Sequence, residues 1–340
     1  MKRRYIIGLI GLIGLMVACE KRIDIDIEDQ QQKVVVKSDN DADENVSVTL
    51  SLSRPVYGTF YVRDGEDYFP KVTNATATLG VNGVQLSATR EGNVYTFSHQ
   101  PQPGEELTLS VEVPGHETAT ATATVPNMPT VENVVIDTAD SYYGSLRFTL
   151  VDNGTTDDYY SVRVRITDTI VAIHYDSTAT ETYRDTNISD GRYGFYSCTD
   201  YLLINNTDLD NIIDPEDPDA TATYYGTRLL FSDANINGQR HTIKIDNLHG
   251  YYDYDWYYAH KDDGYEYVEY EIHQSVVLEV SSLTRDLYLY NQTVEAYDDD
   301  ELLNFFSEPV QIHSNISGGI GIFGVQSVYK QQLQYRWSRF

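Results

Sequence analysis

The sequence predicts a mainly β protein, built as two β-sandwich modules in tandem, the second carrying a large irregular insertion. Three observations predict it. Val, Thr, Ile and Tyr alternate with polar residues over short runs, the period that sends successive side chains to opposite faces of a strand. Gly, Asn, Asp and Pro punctuate those runs at short intervals, whereas helix signals are scarce. Tyrosine is the compositional outlier, with 29 copies against 10 Phe and 2 Trp, and it suits both pleated, half-buried surfaces and adaptable binding surfaces.

The first module is placed at 32–126. VVVKS (34–38) and VSVTLSLS (46–53) show period two, and ATATLG (75–80), VQLSATR (84–90) and VYTFSH (94–99) follow the turn-rich YGTFYVRDGEDYFP. Asn82-Gly83 and Gly92-Asn93 stand where tight hairpin turns belong. Two more strands, 106–113 and 117–125, bend at Pro114-Gly115. Strands at this spacing fit an immunoglobulin-like sandwich. The pattern V-x-x-A-x-x-x-L, G-x-V-Y-x-F and P-G-E-x-L-T-L-x-V also resembles the prealbumin-like, carboxypeptidase-regulatory type of module, which implies a spacer or adhesive unit.

VPNMPTVENV (125–134) marks the boundary, with two prolines within four residues before a fresh strand. The second module, 130–330, opens with VENVVID (131–137) and SLRFTLVD (145–152). In DDYYSVRVRITD (157–168) the inward positions are Tyr160, Val162, Val164 and Ile166. Its closing parts are 276–297 and 307–327, and the insertion occupies about 170–270: an irregular polar stretch, then a tyrosine-dense one.

The amino terminus supplies an address. Lys2, Arg3 and Arg4 precede an apolar run of thirteen residues, Ile6 to Ala18, too short for a bilayer span of about 20 residues. Met16-Val17-Ala18-Cys19 resembles the lipobox of bacterial lipoproteins, with Met16 where Leu is usual. Residues 1–18 are thus expected to be a signal peptide, Cys19 the acylated residue and 19–31 an acidic tether. Several acyl chains at about 0.8 kcal/mol per buried CH₂ hold stably where one binds reversibly. The acids Asp24, Asp26, Glu28 and Asp29 resemble a surface-export tag, so the expected location is the outer membrane, facing the cell exterior.

Charge and cysteine usage narrow the function. With 24 Lys+Arg against 52 Asp+Glu the net charge is −28, which argues against nucleic acid and anionic lipid surfaces as partners. If Cys19 is acylated, Cys198 has no partner in the chain, so no disulfide framework is expected and burial must stabilise the fold.

FSDANING (231–238), SLTRDLYLYNQT (282–293) and EPVQIHSNISGGIGIFGV (308–325) resemble the family catalogued as domain of unknown function 4249. That resemblance implies an outer-membrane lipoprotein, often accompanied by a TonB-dependent receptor. It implies no substrate and no catalytic residue.

Candidate sites come from residue chemistry alone. The segment 249–273 is dense in tyrosine, and Tyr251, Tyr254, Trp256 and Tyr258, the last three at period-two spacing, are the candidate face for a glycan, peptide or other nutrient ligand. The plainer reading is a hairpin whose rings cover the edge of the core. DLDNIIDPEDPDA (208–220) is rich in carboxylates, yet Ile212 and Ile213 break the calcium-loop order, leaving a hydrated loop. The histidines show no H-E-x-x-H, and His313 is expected to make a structural hydrogen bond. In SGGIGIFG (317–324) no Lys or committed helix completes a phosphate loop, so its glycines are expected to serve close backbone packing or a bulge. No cofactor, metal site or catalytic residue is assigned. The expected function is a non-catalytic accessory to a TonB-dependent nutrient transporter; the alternative is a structural or adhesive surface protein without a small-molecule ligand.

Overall fold

The computed structural model describes residues 32–54, 70–137, 144–176, 178, 180–189, 191–204, 223–249, 267–300 and 311–339. The chain is mainly β: among the described residues, strands form three sheets and there is one α-helix.

The first part supplies β1 (Val34–Asp41), β2 (Ser47–Leu52), β3 (Thr76–Val81), β4 (Val84–Ser87), β5 (Thr89–Glu91), β6 (Val94–Thr96), β7 (Glu106–Glu112) and β8 (Ala119–Thr124). Alternation does what the sequence requires of it: in β8 every Ala of ATATAT is buried and every Thr exposed. The Asn82-Gly83 hairpin has φ of 50° and 83°, the two positive values of a type I′ turn. At Gly92-Asn93 the Gly alone is positive, at 61°. VQLSATR departs from its expectation as one strand. It breaks at Ala88, so β4 pairs with β3 in one sheet while β5 pairs with β6 in another, turning a corner between layers.

The remainder supplies β9 (Thr130–Asp137), β10 (Gly144–Val151), β11 (Tyr159–Tyr175), β12 (Glu181–Ile188), β13 (Arg192–Tyr193), β14 (Phe195–Cys198), β15 (Tyr224–Gly226), β16 (Leu229–Ser232), β17 (Arg240–His249), β18 (Tyr267–Leu283), the helix α1 (Arg285–Asp300) and β19 (Ile320–Arg339). Within the stretch from about 170, β11 runs on to Tyr175 and pairs with β12, whose residues ETYRDTNI are mostly exposed. A polar strand of that kind carries no alternation to read.

The largest sheet runs β12-β11-β18-β19-β1-β2-β6-β5, with β13 and β16 also paired to β11. The others run β15-β14-β17-β10-β9 and β4-β3-β7-β8. The closing strand therefore serves both parts of the chain. Its residues from Ile320 to Gln326 lie parallel to β1, from Val35↔Ile320 to Asp41↔Gln326, and from Gln326 to Arg339 it lies antiparallel to β18.

One core packs Val36, Val48, Leu50 and Phe323 of the large sheet against Leu79, Leu107 and Leu109 of the four-stranded sheet. A second packs Val162, Val164, Leu278 and Val280 against Leu146, Phe148, Ile243 and Ile245. At roughly 1.5–3 kcal/mol for each fully buried large apolar side chain, these two cores carry most of the fold's stability, and Cys198 is a free thiol buried in the second. Buried tyrosines add polar pins. Tyr196, 0% exposed, donates to the Val162 carbonyl at 2.6 Å and accepts the Leu229 N–H at 2.8 Å, joining the five-stranded sheet to the large one.

Candidate functional site

The residues singled out by sequence chemistry, Cys19 and the face of Tyr251, Tyr254, Trp256 and Tyr258, lie outside the described residues, as does the carboxylate loop 208–220. The strands bounding the tyrosine-rich segment end at His249 and resume at Tyr267.

The three motif segments meet in space. Leu230 (the residue before FSDANING), Leu283, Leu287 and Tyr288 of SLTRDLYLYNQT, and Ile322 of the glycine-rich stretch form one small buried apolar cluster. Tyr159 packs against it, its ring 4.9 Å from that of Tyr288. His313 makes the expected structural bonds: its Nε2 lies 2.8 Å from Asp286 Oδ1, and its backbone N–H donates to Thr293 Oγ1 at 2.9 Å. Asn315 donates to and accepts from the Phe323 backbone, both at 2.9 Å, standing in for a neighbouring strand. The glycines permit contact, as expected: a Cβ at Gly324 would come 2.8 Å from Leu287 Cβ, and one at Gly321 would meet the Val36 carbonyl.

Beside this junction stands a group of carboxylates. Asp152 follows β10, Asp158 precedes β11 and Asp233 begins the turn after β16; one oxygen from each lies within 4.8 Å of the others. Antiparallel pairing of β16 with β11, Tyr159↔Ser232, brings the separate segments together, and the Asp233 N–H donates to the Asp158 carbonyl at 3.0 Å. The loops touch where Gly154 faces Gly238: a Cβ at Gly154 would lie 2.8 Å from the Gly238 Cα.

Each acid is held differently. Asp152 accepts the Tyr160 hydroxyl at 2.7 Å and the Gly238 N–H at 2.7 Å on its two oxygens. Asp158 accepts the Thr156 hydroxyl at 2.9 Å. Asp233 is 4% exposed, and its Oδ2 is buried without a hydrogen-bond partner. Burial raises the Asp158 carboxyl above its ordinary range against the pull of Thr156, and Asp152, Asp233 and Asp157 raise it further. Burial raises Asp233 too, against the pull of the backbone at Asp158 and at Asp233 itself, with Asp152 and Asp157 adding to the rise. The Tyr160 hydroxyl is pushed well up, first by burial and then by its bond to Asp152. Such a site is suited to a hard cation or a retained proton.

Through Asp158 the cluster borders a cleft of about 640 Å³, the size of ordinary ligand sites. Glu106 and Thr124 line one side; Asp157, Asp158, Arg285 and Asp286 line the other. It joins the four-stranded sheet, the loop before β11 and the start of α1. A second groove, about 340 Å³, lies on the large sheet. There Arg163 and Arg165 lie 4.5 and 5.1 Å from the Tyr193 ring centroid, and the Tyr193 hydroxyl donates to Glu279 at 3.0 Å.

Sequence reasoning identified FSDANING but not the convergence of Asp233 with Asp152 and Asp158. In a chain with 52 Asp+Glu, single acids in distant segments carry no signal until strand pairing joins them.

A family model described as "Domain of unknown function (DUF4249)" matches residues 20–332. No curated protein matches the chain. Among solved structures the chain is similar to one described as "Structural basis for the promiscuous specificity of the carbohydrate-binding modules from the beta-sandwich super family". Identity is 14%, with 65% of this chain and 98% of that chain covered, and the TM-score is 0.17.

Proposed function

The chain belongs to the family described as "Domain of unknown function (DUF4249)", and from that premise we propose that it is a non-catalytic, lipid-anchored protein of the bacterial outer membrane that assists a TonB-dependent nutrient transporter. The observation that carries this reading is an adjacency: the matched region opens at residue 20, directly after Cys19 of the lipobox-like Met16-Val17-Ala18-Cys19. Anchor and fold are thus consecutive. The fifteen steps from Cys19 to Val34 reach at most about 50 Å even when fully extended. A sheet tethered that closely meets other membrane-bound proteins without leaving the surface. The acidic balance of the chain keeps it off anionic lipid and nucleic acid. The tether's acids place it, in this reading, on the outer face of the membrane.

Radiolabelled palmitate and affinity capture test the proposal. The parent incorporates label and Cys19→Ser does not, while capture from solubilised outer membranes recovers a TonB-dependent receptor. Unlabelled parent, or no receptor above background, refutes it. Glycan and peptide arrays address the ligand: specific binding lost in Tyr254→Ala and Trp256→Ala assigns it to the tyrosine face, and blank arrays favour a structural or adhesive role.

A further inference from the structure

We propose that Asp152, Asp158 and Asp233 bind one calcium ion, which fastens the loop after β10 to the turn after β16 at the edge of the acidic cleft. This inference is independent of the membrane role. Calcium takes oxygen ligands at about 2.3–2.6 Å, so the oxygens around one ion lie at most about 5.2 Å apart. The three carboxylates already meet that limit, with one oxygen each within 4.8 Å of the others.

The second observation is the orphaned oxygen. Asp233 Oδ2 is buried and accepts no hydrogen bond. An uncompensated carboxylate oxygen away from water is costly, and buried polar groups in folded proteins nearly always have a partner. The neighbouring acids Asp152 and Asp157 add to that cost, the backbone at Asp158 and Asp233 offsets part of it, and a divalent ion removes the rest. The other groups are arranged as ligand supports: Tyr160 and the Gly238 N–H fix Asp152, and Thr156 fixes Asp158. All the donors are hard oxygens with no Cys or His among them, which selects calcium or magnesium over zinc or copper. Calcium is favoured because it accepts an irregular set and completes its shell with water. Asp158 lines the cleft, where water reaches it.

Asp41, Asp43 and Glu44 form an acidic group of similar spacing and provide the contrast. Asp43 and Glu44 are exposed, and Lys330 Nζ stands 3.4 Å from Asp41 and 3.5 Å from Asp43, so a side chain already supplies the positive charge.

The test uses the full chain, purified in detergent and stripped with EGTA. Calorimetric titration with calcium chloride is expected to give one ion per chain, and calcium at a hundredfold over Kd should raise the melting temperature by about 5 °C. Asp158→Asn and Asp233→Asn each should weaken binding at least about tenfold, while Asp43→Asn binds as the parent does. Each Asn variant removes one of the clustered negative charges at nearly constant shape, so both should melt no lower than the stripped parent. Terbium excited through tyrosine gives a readout that needs no variant: emission from the parent should be displaced by calcium. Absence of both heat and displaceable emission overturns the proposal. So does an Asp233→Asn variant that binds calcium like the parent, or one that is stabilised while calcium leaves the parent's melting temperature unchanged, since the cluster then holds a proton instead.

Discussion

Cutting the chain at the end of its first strand-rich part tests the central architectural claim, that the closing strand completes a core begun some 290 residues earlier. A fragment of residues 32–126 keeps β1 to β8 but loses Ile316, Phe323 and Val325, which are 8%, 0% and 0% exposed in the first core. At roughly 1.5–3 kcal/mol per fully buried side chain, those three contribute about 4.5–9 kcal/mol. The fragment also loses the β19 partner along β1, from Val35 to Asp41. Whole domains are stable by only about 5–15 kcal/mol, so the fragment should not fold cooperatively. Joining 311–328 to it through a flexible linker should restore folding by returning both the side chains and the strand. Circular dichroism melts and amide hydrogen exchange compare the two: no transition and little protection in the first, a single transition and protected β1 amides in the second. In the full chain, Phe323→Ala should cost about 3–5 kcal/mol and speed exchange in β1 to β8 more than in β9 and β10. A 32–126 fragment melting within a few degrees of the linked form would refute the reasoning.

Other consequences are smaller and independent. Tyr196→Phe strands the Val162 carbonyl and the Leu229 N–H in the second core and should lower the denaturant midpoint by the equivalent of about 1–3 kcal/mol. Burial pushes the Cys198 thiol up to about 11, so iodoacetamide at pH 8 should label it only in denaturant; labelling of the folded chain would count against its buried position. Gly324→Ala brings a Cβ 2.8 Å from that of Leu287 and should cost about 1–3 kcal/mol, with Leu287→Ala added in the same chain recovering part of the loss in a double-mutant cycle. The Gln102 N–H, and after it His99, hold Glu105 below the usual carboxylate range. A depressed folded value means that this stabilisation is present above the unfolded value of about 4.3 and is lost as pH falls through the folded one. Urea midpoints at pH 6 and pH 3 should therefore differ less in Glu105→Gln than in the parent.

The mainly β class, the faces of β1, β8 and β11, and the hairpins at Asn82-Gly83 and Gly92-Asn93 were legible in sequence because each follows from neighbours two to four residues apart. Tyr160, Val162, Val164 and Ile166 are buried as their alternation requires. Local pattern misleads where it serves two structures. Leu287-Tyr288-Leu289-Tyr290 alternates like a strand, yet it lies in α1, because Leu287 and Tyr288 reach a cluster that Leu230 and Ile322 complete from elsewhere. The same limit applies to the candidate site. FSDANING marked Asp233, but only the pairing of β16 with β11 brings it to Asp158 and Asp152. Period two tells which side of a strand is apolar; it does not tell which strand lies alongside. That choice is made by packing distant apolar faces together, and so the tertiary structure alone set β19 beside β1 and gathered three scattered acids at one point.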